Sequence, residues 1–156
     1  MTWTEVLNDK SLRDLPYKIE LNGFGNIVMS PASNWHADYQ VRIVLALRRQ
    51  SKSGRILTES SVKTRDNVKC PDVVWASDEF MKKHKWKSPY TAAPEICVEV
   101  LSPGNSKLDI ANKRELYFEK GAKEVWLCNS EGAMSFFDPS GEIPRSSIFK
   151  RFPKVL

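Results

Sequence analysis

Two carboxylates are set into two otherwise apolar runs of this chain. One run is Pro71-Asp72-Val73-Val74-Trp75. The other is Pro94-Glu95-Ile96-Cys97-Val98-Glu99-Val100-Leu101-Ser102-Pro103. Short β-branched runs bounded by proline read as strands covered on both faces. A lone ionised carboxylate in such a strand is strongly unfavourable, so it must be paired, protonated or bound to a cation. Any fold this chain adopts must therefore bring partners to Asp72 and Glu99.

The chain has 156 residues, which suits one domain, residues 1–156, around a single core. It is 41% hydrophobic and 28% charged, the balance of an ordinary globular protein. Its apolar stretches fall well short of the roughly 20 residues that span a membrane. The start, Met1-Thr2-Trp3-Thr4-Glu5, lacks the basic and apolar blocks of a signal peptide, so a cytoplasmic protein is expected. The net charge of +5 suits a polyanionic partner without selecting one. Cys70, Cys97 and Cys128 are far apart, with no Cys-x-x-Cys spacing, and read as buried free thiols.

The pattern predicts a helix over 2–14, stopped at Asp14-Leu15-Pro16. Tyr17–Leu21 and Asn26–Met29 flank Asn22-Gly23 and read as a hairpin. Ser30-Pro31 has the form of a helix start, and Trp35, Tyr39, Ile43 and Leu47 make an i+4 stripe running to about Arg49. His36 and Gln40 flank that stripe. A strand over 55–64 and a turn at Arg65-Asp66-Asn67 lead through Val68-Lys69-Cys70 into the Asp72 strand. Ser77 caps a short helix, and a basic loop follows to Tyr90. After the Glu99 strand, Ser106 caps a helix over 107–120 ended by Gly121. Strands at 124–128 and 133–137 follow, with a last one at Ile148–Phe152. Strand, helix, strand order in the second half predicts an α/β domain with a mixed sheet.

A hard divalent cation such as Mg²⁺ or Mn²⁺ takes oxygen ligands, commonly one or two carboxylates with waters and phosphates. Asp72 and Glu99 are the candidate carboxylates and the Val100 carbonyl a third oxygen. Such a site also uses a lysine, in the usual Glu-x-Lys arrangement two residues after the glutamate. That position is Leu101 here. Lys113 is the natural substitute, on the helix that follows the Glu99 strand, with Tyr117 one turn beyond it. The Lys82–Tyr90 loop, with Lys83, Lys85, Trp86 and Lys87, combines positive charge with an aromatic face and is the candidate nucleic-acid contact. A solvated basic loop is the plainer reading.

These segments, in this order, resemble the Uma2 family, also called DUF820. They are Tyr17-Lys18-Ile19-Glu20-Leu21-Asn22 with Ile27-Val28-Met29-Ser30-Pro31 and His36, then Pro71–Trp75, Ala93–Pro103, and Asp109, Lys113 and Tyr117 with Gly121–Trp126. The resemblance covers nearly the whole chain. It implies a restriction-endonuclease-like α/β core of the PD-(D/E)xK type, with a mixed β-sheet flanked by helices and an N-terminal helix and hairpin. It implies a Mg²⁺- or Mn²⁺-dependent endonuclease acting on nucleic acid, DNA first. Asp72 and Glu99 would be metal ligands, and the active-site lysine would have moved from the strand to Lys113. Glu20 would be an additional acidic residue, with His36 and Gln40 near the same cleft.

The competing expectation is a nucleic-acid-binding or regulatory protein that keeps a nuclease fold without chemistry. Both acidic positions and a candidate lysine favour the enzyme, since a binding protein has no need of them. A homodimer would suit cleavage of two strands, but the sequence alone shows none.

Overall fold

The computed structural model of the protein describes residues 1–156. Thr2 opens the first helix, α1 (Trp3–Asn8). Its hydroxyl accepts the Glu5 N–H, and the Glu5 carboxylate accepts the Thr2 N–H. The expected helix over 2–14 breaks at Asp9, which is extended and caps a separate 3₁₀ turn, Lys10–Leu12. The hairpin is as expected: β1 (Tyr17–Leu21) pairs antiparallel with β2 (Ile27–Pro31). Ser30 and Pro31 end that strand instead of opening a helix. The cap lies at Ser33, whose hydroxyl accepts the His36 N–H at the start of α2 (Asn34–Gln50). Proline suits the end of an edge strand, where no ladder N–H is required.

The expected strand over 55–64 is two strands. β3 (Arg55–Thr58) ends where Glu59 turns to φ +54°, and β4 (Val62–Thr64) forms a hairpin with β5 (Asn67–Lys69). β6 (Val73–Ala76) starts one residue after Asp72, so that carboxylate stands at the mouth of its strand. Next come α3 (Asp78–His84), β7 (Ile96–Val100), α4 (Lys107–Glu119), β8 (Glu124–Cys128), β9 (Met134–Asp138) and β10 (Gly141–Ile143). Gly121, at φ +97°, ends α4 as a glycine is suited to do.

Six strands form one mixed sheet in the order β10-β9-β8-β7-β6-β3, in which only β7 and β8 run parallel. The α4 crossover joins that parallel pair, as parallel neighbours require. All five residues of β7 are buried. Ile96, Val98 and Val100 pack into a core with Ile43 and Leu47 of α2, while Cys97 packs with Tyr117 of α4. α2 and α4 therefore cover opposite faces of the sheet. The predicted α2 stripe is observed: Ile43 and Leu47 are buried, with Trp35 and Tyr39 packed against them.

The tail is not a strand. Phe149 and Phe152 come from turns and fill the core, with the Phe152 ring 4.5 Å from that of Trp126. The last strand is β10 instead, paired with β9. Buried Glu124 ties the tail down, accepting bonds from the Ser147 N–H and hydroxyl, the Ile148 N–H and the Trp126 indole. Removing that carboxylate leaves the buried Trp126 indole N–H, and the part-buried Ser147 and Ile148 donors, without this acceptor. Glu124→Ala should cost roughly 3 kcal/mol of stability, read as a lower urea midpoint.

Candidate active site

The β6–β7 register brings the two carboxylates together. Val73 pairs with Val98 in an antiparallel ladder, so the next position sets Asp72 against Glu99. Directly opposed residues of an antiparallel pair share a face. Here it is the α4 face, since Val74 and Cys97 both pack there. The ladder beside β6 is extended by the Glu59 N–H donating to the Asp72 carbonyl at 3.2 Å, which fixes the Asp72 backbone.

Each carboxylate has one oxygen committed to the fold and one directed at a cation. Asp72 Oδ2 accepts the Val100 N–H at 2.7 Å and lies 3.3 Å from His36 Nε2. Asp72 Oδ1 is 2.7 Å from the Lys18 ammonium. Glu99 Oε1 accepts the Tyr117 hydroxyl at 2.6 Å. Glu99 Oε2 is 3.5 Å from Lys18 and 3.5 Å from Lys113. Lys113 in turn bonds Glu20 Oε1 at 2.9 Å, the oxygen that also accepts the Cys70 N–H. The i, i+4 spacing of Lys113 and Tyr117 puts both on the side of α4 that meets Glu99.

The surroundings split the ionisation of the two acids. Burial pushes Asp72 up, but Lys18 and His36 together hold it well below the usual carboxylate range. Burial raises Glu99, against the pull of Lys113 and Lys18. Burial also works against Lys18, yet Glu99, Asp72, Glu20 and Glu59 hold its pKa well above the ordinary lysine value. Glu20 is lowered because Lys113 and Lys18 outweigh its burial. Opposed shifts in one cluster beside a cleft make it a candidate site of chemistry.

The cluster opens on a cleft of about 490 Å³ lined by Lys18, His36, Glu59, Asp72, Glu99 and Lys113, among others. Val100 lines it too. Gln40 does not line the cleft but donates to Glu59 Oε1 at 2.7 Å. The basic loop is elsewhere: neither Lys83, Lys85, Trp86 nor Lys87 lines the cleft, and Trp86 is 69% exposed. Strand β6 leads away from Asp72 before α3 begins, which carries that loop off the cleft.

Sequence reasoning passed over two members of the cluster. Lys18 had a legible signal, since it stands two residues before Glu20 on an alternating strand and so shares its face. Glu59 had none, because it sits in what reads as the middle of a strand.

The family model for Uma2, described as "putative restriction endonuclease", matches residues 10–151. The chain belongs to the Uma2 family. A solved structure titled as a putative nuclease belonging to DUF820, from Anabaena variabilis, shares the fold at a TM-score of 0.70. It is 18% identical, and the match covers 96% of this chain and 91% of that one. No curated protein matches the chain. The expected α/β core, with its mixed sheet flanked by helices, is thus the fold of this Uma2 member. No helix is long and apolar enough to cross a membrane.

His36 supplies a pH test on this cluster. Its hydrogen bond to Asp72 raises its pKa from the ordinary 6.5, against burial. A raised value means the pairing stabilises fully below 6.5 and fades as pH rises through the raised value. In buffer with chelator, His36→Gln should lose more stability relative to wild type at pH 5.5 than at pH 8.5. Paired urea melts at the two pH values check this, and an equal loss at both would remove the charged His36–Asp72 pair.

Proposed function

We propose that this Uma2 protein hydrolyses phosphodiester bonds in nucleic acid, DNA in the first instance, as a divalent-metal-dependent endonuclease. The observation that carries the reading is the convergence of Asp72 Oδ1 and Glu99 Oε2 on the Lys18 ammonium at the wall of an open cleft, with a second lysine, Lys113, on Glu99.

The donor set fits a hard cation. Three or more His, Cys, Asp or Glu side chains are nowhere gathered as a metal cage. Two carboxylate oxygens with a neighbouring backbone carbonyl, that of Val100, suit Mg²⁺ or Mn²⁺, which keep waters and take substrate oxygens for the rest. Charge supports the same reading. Around Lys18 and Lys113 stand Asp72, Glu99, Glu20 and Glu59, so in ionised form four carboxylates face two ammonium groups. With His36 neutral, the excess is the charge of one divalent ion.

When bound, the cation would acidify a water and polarise the phosphate. The chain's own groups do the rest. The Val100 N–H and the Tyr117 hydroxyl hold one oxygen of each carboxylate, fixing the direction of the other. Lys113, kept charged by Glu99 and Glu20 despite its burial, offers an ammonium to the attacking water or to the phosphate. In the hydrolysis, the water oxygen forms a new bond to phosphorus while one ester P–O bond breaks, and the departing sugar oxygen takes up a proton. His36 lines the cleft with Nε2 toward Asp72, and its Nδ1 is buried and unpartnered.

The test is cleavage of supercoiled plasmid and of single-stranded DNA with Mg²⁺ or Mn²⁺. Nicking should require the cation and stop with chelator. It should fall at least about a hundredfold in Asp72→Asn, Glu99→Gln and Lys113→Ala. Binding of DNA without cleavage by a folded wild type would favour the binding-protein reading instead.

A further inference from the structure

We propose that Lys18 is an internal counter-ion standing in the cation position between Asp72 and Glu99, and that a divalent cation enters by displacing it toward Glu59. This rests on the reading of Asp72 and Glu99 as the cation ligands.

The Lys18 ammonium lies 2.7 Å from Asp72 Oδ1 and 3.5 Å from Glu99 Oε2. Those are the two carboxylate oxygens that the backbone and Tyr117 leave untaken. An ammonium and a divalent ion thus compete for the same pair of oxygens. Both are positive, so holding them side by side in a buried site is strongly unfavourable.

Lys18 has somewhere to go. It lines the active-site cleft and also a second cavity of about 360 Å³, with Trp3, Val6, Leu12, Tyr17 and Glu59. Glu59 lines both cavities as well. Its carboxylate makes no ion pair in this structure and bonds only Gln40, through Oε1. A lysine stem packs readily along apolar walls while its head keeps a charged partner. Lys113 has no such freedom, being held by Glu20 at 2.9 Å. The two lysines therefore divide the work: Lys113 stays as the fixed ammonium of the site, and Lys18 positions the carboxylates until the cation takes its place.

The test is Mn²⁺ binding, followed by electron paramagnetic resonance and calorimetry, on wild type, Lys18→Met and Asp72→Asn. Removing the competing charge should tighten Mn²⁺ binding by about tenfold or more in Lys18→Met. Without metal the same variant should melt below wild type, with the loss recovered at saturating Mn²⁺. Asp72→Asn should bind no Mn²⁺. Equal or weaker binding by folded Lys18→Met, where wild type binds, overturns the displacement and leaves the cation site standing. Binding by neither protein overturns the cation site and this proposal with it. Should Lys18→Met not fold, Lys18→Arg decides. A guanidinium fork holds carboxylates more firmly, so Mn²⁺ should bind at least about fivefold more weakly than to wild type, and unchanged affinity overturns the proposal.

Discussion

The hydrogen bond from the Val100 N–H to Asp72 is the joint on which the site is assembled. It closes the β6–β7 ladder one step beyond its last regular pair and turns a backbone register into a side-chain arrangement. Without it, Asp72 would be a buried carboxylate with freedom to rotate. With it, one oxygen is fixed and the other can only look toward the β1–β2 hairpin and the cleft. Lys18, Glu99 and, through Glu99, Lys113 and Tyr117 take their places around that free oxygen, while His36 lies against the fixed one.

A cluster of this kind is a weak source of stability. Apolar residues of similar volume commonly stabilise a core as well as or better than buried ion pairs do. The protein instead surrounds four carboxylates with two lysines and a histidine, and sets the central two, Asp72 and Glu99, at the mouth of β6 and on β7, strands whose other residues are among the most buried in the chain. The rigid sheet allows such a concentration of charge to keep one geometry. The apolar packing of α2 and α4 on its two faces carries the cost.

Much of this is legible in the sequence alone. Asp72 and Glu99 stood out because their neighbours were apolar, and Lys113 because the helix carrying it follows the Glu99 strand. The α2 stripe, the first hairpin and the Ser106 and Gly121 helix ends follow local rules of periodicity, turn residues and capping. What was not legible depends on tertiary context. Ser33 outcompetes Ser30 as a cap because Pro31 is needed at the end of the hairpin. Glu59 breaks a strand by adopting a positive φ that no residue type there announces. Phe149 and Phe152 read as a strand because they are apolar, yet they fill the core from turns. The basic loop was clear as composition, but its distance from the cleft was not, since composition carries no address.

The register of β6 against β7 also limits how the chain can change in length. Side chains alternate between sheet faces, so one residue inserted or deleted within either strand sends its acid to the α2 side, among Val73, Val98 and Trp126. The segments between α3 and β7 and after β10 stand outside the ladder and face no such limit. Indels that leave the acids in register are therefore confined to such connecting segments, and β6 and β7 act as a fixed ruler.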